Sequence, residues 1–147
     1  MSRRTSIVKA FATKFKLING TGVYKTNLFN NSFPVLKFWD EVNDFPAVFV
    51  VAGGETREYL PGGFAWGFLN VSLKVYTKGE DSQQLLENLI EDIETVVTDL
   101  RGVVQYDTSG SQFSTSEISI TSITTDEGLL APYGVGEVNL LVRYQVI

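Results

Sequence analysis

The 147-residue chain predicts an α+β fold: a mixed or antiparallel β-sheet packed by two amphipathic helices, with long loops and a β-hairpin. Three observations carry that expectation. Apolar residues recur at helical spacing near the N-terminus and again around residues 82–100. They alternate with a period of two in the segments around residues 66–76, 117–123 and 136–146. The segments come in the order helix, strands, helix, strands, which suits a layered sandwich of sheet and helices. No internal repeat or linker is visible, so residues 1–147 are expected to form one domain.

Residues 5–19 read as the first helix. Ile7, Val8, Phe11, Phe15 and Ile18 form one apolar stripe, and Lys9, Lys14 and Lys16 lie off it. Thr5 or Ser6 is placed to cap its start and Gly20 to stop it. Residues 21–44 are mostly irregular, with a turn punctuated by Asn30, Asn31, Ser32 and Pro34. Residues 47–51, AVFVV, are apolar on both faces and fit a strand inside a covered sheet.

The Gly-rich stretch 52–66 contains Gly53, Gly54, Pro61, Gly62 and Gly63 and reads as a long β-hairpin or an extended loop between strands. Residues 66–76 form the clearest strand. Leu69, Val71, Leu73 and Val75 face one way, and Phe68, Asn70, Ser72, Lys74 and Tyr76 the other. A turn at Gly79 leads to a helix from about Ser82 to Leu100, capped by Asp81 or Ser82 and ended by Gly102. Leu85, Leu86, Leu89, Ile93, Val96, Val97 and Leu100 line one face, while Glu87, Glu91, Asp92, Glu94 and Asp99 read as a solvated one. Residues 103–115 look like loop. A strand over 117–123 and a polar connection over 124–136 precede a closing strand, with Val138, Leu140, Val142, Tyr144 and Val146 on one face.

Composition narrows the chemistry. The chain has no Cys and no His. That removes disulfides, thiolate metal sites, thiol nucleophiles, imidazole bases and imidazole ligands. A net charge of −5 is the reverse of what a DNA-binding module carries. No apolar run reaches the roughly 18 residues of a membrane span. The basic start is interrupted by Lys9, Lys14 and Lys16, so no signal peptide is expected. The glycines at 53–63 match neither a P-loop nor a GxGxxG turn.

The acidic groups Asp40/Glu41/Asp44, Glu91/Asp92/Glu94 and Asp126/Glu127 leave room only for carboxylate chemistry or a divalent ion, and EF-hand spacing is missing. A solvated helix face and a turn explain them more simply. No catalytic, cofactor or metal site is expected, with a carboxylate-dependent hydrolase as the remote alternative. A chain with a rich core, long loops and no chemistry works through its surfaces.

One such role is suggested by FWDEVNDFPAVFVVAGGETREY, residues 38–59, with Asp44-Phe45-Pro46-Ala47-Val48 at its centre. This segment resembles the phage tail terminator family, the lambda-type minor tail protein U. The strand FLNVSLKVYTKG (68–79), the Ser/Asp-capped acidic helix and the closing ISITSITTDEGLLAPYGVGEVNLLVRYQV are similar to the later elements of that family, in the same order. The resemblance covers about residues 38–147 and leaves 20–37 as a family-variable loop.

The resemblance implies a structural virion protein of a siphophage. It implies a homo-oligomer, a hexameric ring that caps the tail tube, ends its polymerisation and meets a head-completion or connector protein. Viral DNA would pass through the lumen without specific binding. The implied location is the head-proximal end of the tail, after assembly in the host cytoplasm. Another neck or tail-tube subunit is the alternative within the particle. Six copies at −5 each carry about −30, and a negative lumen repels the DNA backbone and lets it slide.

Two surfaces are expected at interfaces. Lys9, Lys14 and Lys16 either contact an acidic neighbour or form an ordinary solvated face. The hairpin at 53–64, with Glu55, Arg57, Glu58, Leu60 and Phe64, either meets the tail tube or is a plain mobile tip.

Overall fold

A computed structural model describes residues 2–146. Helix α1 (Arg3–Phe15) starts earlier than its apolar stripe suggests, because Ser2 caps it and its hydroxyl accepts the Thr5 backbone N–H at 3.1 Å. It also ends earlier, at Phe15. The N–H groups of Lys16, Leu17 and Ile18 each bond the carbonyl three residues back, which tightens the chain out of the α-helix before Gly20 is reached. The stripe itself holds: Ile7, Phe11, Phe15 and Ile18 are fully buried.

The two-residue strand β1 (Ser32–Phe33) pairs in parallel with β2 (Ala47–Leu60). β2 runs antiparallel to β3 (Phe64–Lys78). After helix α2 (Ser82–Leu100) comes a small separate hairpin, β4 (Gln105–Thr108) and β5 (Ser111–Ser114). Then β6 (Glu117–Thr125) and β7 (Tyr133–Gln145) complete a five-stranded sheet in the order β1-β2-β3-β7-β6. The stretch 52–66 is therefore strand on both sides of one turn, Pro61-Gly62-Gly63. There both glycines take positive φ, 88° and 79°, a conformation a side chain would strain.

Helices cover one face of this sheet. Val48, Val50, Leu69, Val71, Leu73, Val75, Val138, Leu140 and Val142 meet Ile7, Phe11 and Phe15 of α1 and Leu86, Leu89, Ile93 and Val96 of α2 in one cluster. Burying each such side chain is worth about 1.5–3 kcal/mol. Leu85 departs from its expected place: it is 40% exposed, since a stripe of seven residues is wider than the contact and its first member rides the rim.

Asp92 departs further. It is 1% exposed, not part of a solvated face. Its two carboxylate oxygens accept the backbone N–H groups of Lys25 at 3.0 Å and Thr26 at 2.8 Å. These charge-assisted bonds offset its burial and pin the connection after α1 onto α2. Residues 105–114, expected as loop, pair as β4 and β5, and their Tyr106 is buried edge-on against Tyr144 with ring centroids 6.5 Å apart.

Candidate assembly surfaces

The β2–β3 hairpin has arms of 14 and 15 residues, about 45 Å at the usual rise per residue. Its arms pair Ala52 with Val71 and Glu55 with Leu69, so Gly53-Gly54 carry one extra residue, a β-bulge that bends the strand. Glu55 sits just past the bend. Its side chain is only 5% exposed. One oxygen accepts the Tyr144 hydroxyl at 2.7 Å and the other accepts Arg57 Nε at 2.7 Å. Burial first, and then the bond to Glu55, push the Tyr144 phenol up to about 12. The same carboxylate raises Arg57 above its ordinary range.

The N-terminal arginines brace this bend. Arg4 donates to the Gly53 carbonyl. Arg3 donates to the carbonyls of Gln145 and Val146, both at 2.6 Å, and lies over the Phe113 ring. Beyond the bend the β2 arm is exposed, while the β3 arm stays paired with β7 as far as Trp66 and buries Ala65. Arg57, Glu58, Tyr59 and Leu60 are exposed, and Phe64 is half-buried edge-on to Trp66. Of the hairpin residues singled out from the sequence, Glu55 thus acts inward as a lock, while Arg57, Glu58 and Leu60 point to a partner or solvent. Tyr59, 66% exposed, belongs with them, although no local pattern marks it.

Lys9, Lys14 and Lys16 are all exposed. Lys9 and Lys14 border a shallow depression whose other wall carries Gln105 and Asp107. On α2, Glu87 and Asp99 are exposed and Glu94 half-buried, giving the molecule one basic and one acidic helical surface. Lys25 bridges to Glu91 at 2.8 Å between them.

A third surface lies on the helix-free face of the sheet. There Ala47, Phe49 and Tyr76 form a small cluster with Trp39, Val42, Phe45 and Val135. Above it Phe29, Phe33, Val35, Leu36 and Phe38 stand between 39% and 65% exposed. This ridge is held firmly from below. The Phe33 and Phe49 rings lie 5.5 Å apart, and Tyr76 donates its hydroxyl to the Lys37 carbonyl at 2.6 Å. Asn31 accepts the Val48 N–H at 2.9 Å and donates to the Pro46 carbonyl at 3.2 Å. From sequence the ridge reads only as variable loop. The signal available is the density of large apolar residues in a segment with neither helical nor strand period.

Polar pairs lie beside the ridge on the same face. Ser72 donates to Asn139 at 2.7 Å, Asn139 to Ser122 at 2.9 Å, and Lys74 pairs with Glu137 at 2.6 Å. Among the described residues no group of three or more His, Cys, Asp or Glu gathers to hold a metal, and no helix is long and apolar enough to cross a membrane.

Comparison with known proteins gives these surfaces a context. A family model described as Bacteriophage Tail Tube Terminator Protein matches residues 1–147. The Tail tube terminator protein p142 of Escherichia phage T5 is 42% identical over 154 aligned residues, spanning 99% of this chain and 95% of that protein. A chain from the virion of native gene transfer agent (GTA) particle aligns with a TM-score of 0.50 over 95% of this chain and 93% of its own length. At 10% identity that likeness speaks for the fold alone.

Proposed function

We propose a mode of action from one premise: this chain belongs to the bacteriophage tail tube terminator family, and is a structural protein of the phage tail that caps the tail tube. Residues 1–147 act as one domain, and six copies close into a ring at the head-proximal end of the tail after assembly in the host cytoplasm. The ring's tube side halts subunit addition and its other side receives the head-completion or connector protein. Viral DNA passes through the centre without being gripped, in keeping with the net charge of −5 per copy.

The observation that carries this reading is the pair of exposed surfaces at opposite ends of β2. The apolar ridge adjoins its start, where Phe33 pairs with Phe49, and the hairpin tip closes its end. About 35 Å of strand separates them at the usual rise per residue. A chain that must hold a tube on one side and a connector on the other needs two such surfaces, and monomers rarely expose a contiguous apolar ridge. Arg57, Glu58, Tyr59, Leu60 and Phe64 of the hairpin meet the tube, with Glu55 fixing the angle at which they arrive. The ridge meets the connector. Lys9, Lys14 and Lys16 of one copy face the acidic surface of α2 in the next, a heterologous contact of the kind that closes rings.

The test adds purified chain to polymerising tail-tube protein and tracks tube growth by negative-stain microscopy. Wild-type chain stops growth and leaves a ring on one tube end, whereas a folded variant lacking residues 56–63 does not. Tubes that grow undisturbed in wild-type chain would refute the capping role. Full capping by the deletion variant would refute the hairpin assignment alone. Charge reversal at the three lysines tests the lateral contact. It lowers the fraction of closed rings, more so at low salt.

A further inference from the structure

The five-stranded sheet keeps unpaired backbone on both of its edges. One edge is β6. Gly102 packs beside Glu117 and Ile118 at its start, but along residues 119–125 no described strand lies on its outer side. That stretch, SITSITT, holds no charge and no Pro, the devices that usually keep an edge from pairing. It bulges at Thr121, whose hydroxyl is turned inward and donates to the Asn139 carbonyl at 3.1 Å. On the opposite edge, β1 takes Val48 and Phe49 of β2, and Arg4 takes the Gly53 carbonyl. Past that bend, residues 55–60 of β2 have no described strand on their outer side. An uncharged edge strand left bare is a template for another strand.

Direction and level fit the two edges to each other. β2 and β7 run one way, β3 and β6 the other, so β6 of one copy is antiparallel to β2 of a neighbour set in the same orientation. Traced across the sheet through Asn139 and Ser72, Ser122 is level with Val51 of its own copy. Setting it opposite Thr56 of the neighbour takes a stagger of four residues, with the Gly53-Gly54 bulge counted as one. The same stagger sets Ser119 opposite Glu58. Four strands, β2, β3, β7 and β6, lie between one seam and the next, so the stagger is one residue per strand. That ratio tilts the strands of a closed barrel by about 36°. Because the stagger is even, side chains on the helix-free face stay on that face across the seam. The helices agree: α1 packs on β2 and α2 on β3 and β7, so the seam brings α2 of one copy toward α1 of the next, as the lysine contact requires.

We infer that β6 of one copy pairs antiparallel with residues 55–60 of β2 in the next, joining the sheets of the ring edge to edge. The occupant of the β6 edge is a second copy because strand direction, stagger and helix layer all close on this chain's own β2. The two edges are different surfaces on opposite sides of one sheet, so the contact is heterologous, as a ring needs. Pairing of β6 with β6 would stop at a dimer and leave every β2 edge bare. This deepens the ring reading and rests on it.

The cysteine-free chain makes a clean test. Ser122 and Thr56 are both exposed. Copies carrying Ser122→Cys are mixed with copies carrying Thr56→Cys, assembled on tail-tube ends and oxidised. The mixture forms covalent dimers that neither variant forms alone, and the double variant forms covalent rings. Separately, Ser119→Glu sets a second carboxylate opposite Glu58 and weakens copy–copy association by about threefold, while the dilute chain still unfolds cooperatively. Glu58→Lys in the same chain restores the association. Disulfides between Ser122→Cys copies alone would reveal a β6–β6 pair and overturn the seam. Rings that give no mixed cross-link overturn the seam and leave the ring. A wild-type chain that stays monomeric even on tube ends overturns both.

Discussion

The two faces of the central sheet obey different rules. On the covered face Val48, Val50, Leu69, Val71, Leu73, Val75, Val138, Leu140 and Val142 are buried in one apolar cluster with α1 and α2. On the other face a polar ladder of Ser72, Asn139 and Ser122 borders a small aromatic cluster and then an apolar ridge left in water. The first face is satisfied by the chain's own helices. The second has the same apolar chemistry at one end, yet among the described residues nothing covers it. What separates them is the source of the covering layer, which under the proposed function is, for the ridge, another protein.

That contrast predicts a graded set of outcomes. Ile93→Ala opens a cavity under the covered face and should cost about 2–5 kcal/mol in denaturant unfolding. Asp92→Ala removes the acceptor of two buried backbone N–H groups and should cost about 2–3 kcal/mol. The amides of Lys25 and Thr26 should then lose their protection from hydrogen exchange, while those of the sheet keep theirs. Tyr144→Phe deletes one of the two bonds that hold Glu55 and should cost about 1 kcal/mol.

The tyrosines also set a pH limb. Tyr144 and Tyr76 are both pushed up to about 12, by burial foremost. Each stays protonated in the folded chain where the unfolded chain has already lost its proton. Their contribution is complete below pH 10 and is lost as pH rises from there to 12. Tyr144→Phe should flatten that alkaline fall in unfolding free energy. Smallest of all, Leu36→Ser on the ridge should change stability by less than about 0.5 kcal/mol, yet reduce attachment of heads to capped tails. A ridge substitution as destabilising as Ile93→Ala would erase the distinction between the faces.

Much of this architecture is legible in the sequence. The stripe of α1, the alternation of Leu69, Val71, Leu73 and Val75, and the β7 pattern specify which face each element buries. The misreadings share a cause, which is that burial is decided by neighbours distant along the chain. Asp92 looks like one more carboxylate on a solvated helix until the loop at Lys25 folds onto it. Leu85 looks like core until the sheet proves narrower than the stripe. Tyr106 is a lone aromatic among Ser, Thr and Gly, too short a signal for β4.

The assembly surfaces are half legible. The hairpin announces itself through its glycines, but not that Glu55 turns inward to Tyr144. Nor can spacing show that Arg3 and Arg4 are spent on carbonyls at the hairpin bend and the C-terminal strand, leaving only the lysines for a neighbour. Leu129, 87% exposed, sits in a turn that reads correctly as a turn, because exposure is not a property of local pattern.

The capping role is tested most directly by deleting this gene in its phage and measuring tail lengths by negative-stain microscopy. The account predicts abnormally long tails without heads. Tails of normal length joined to heads would contradict it.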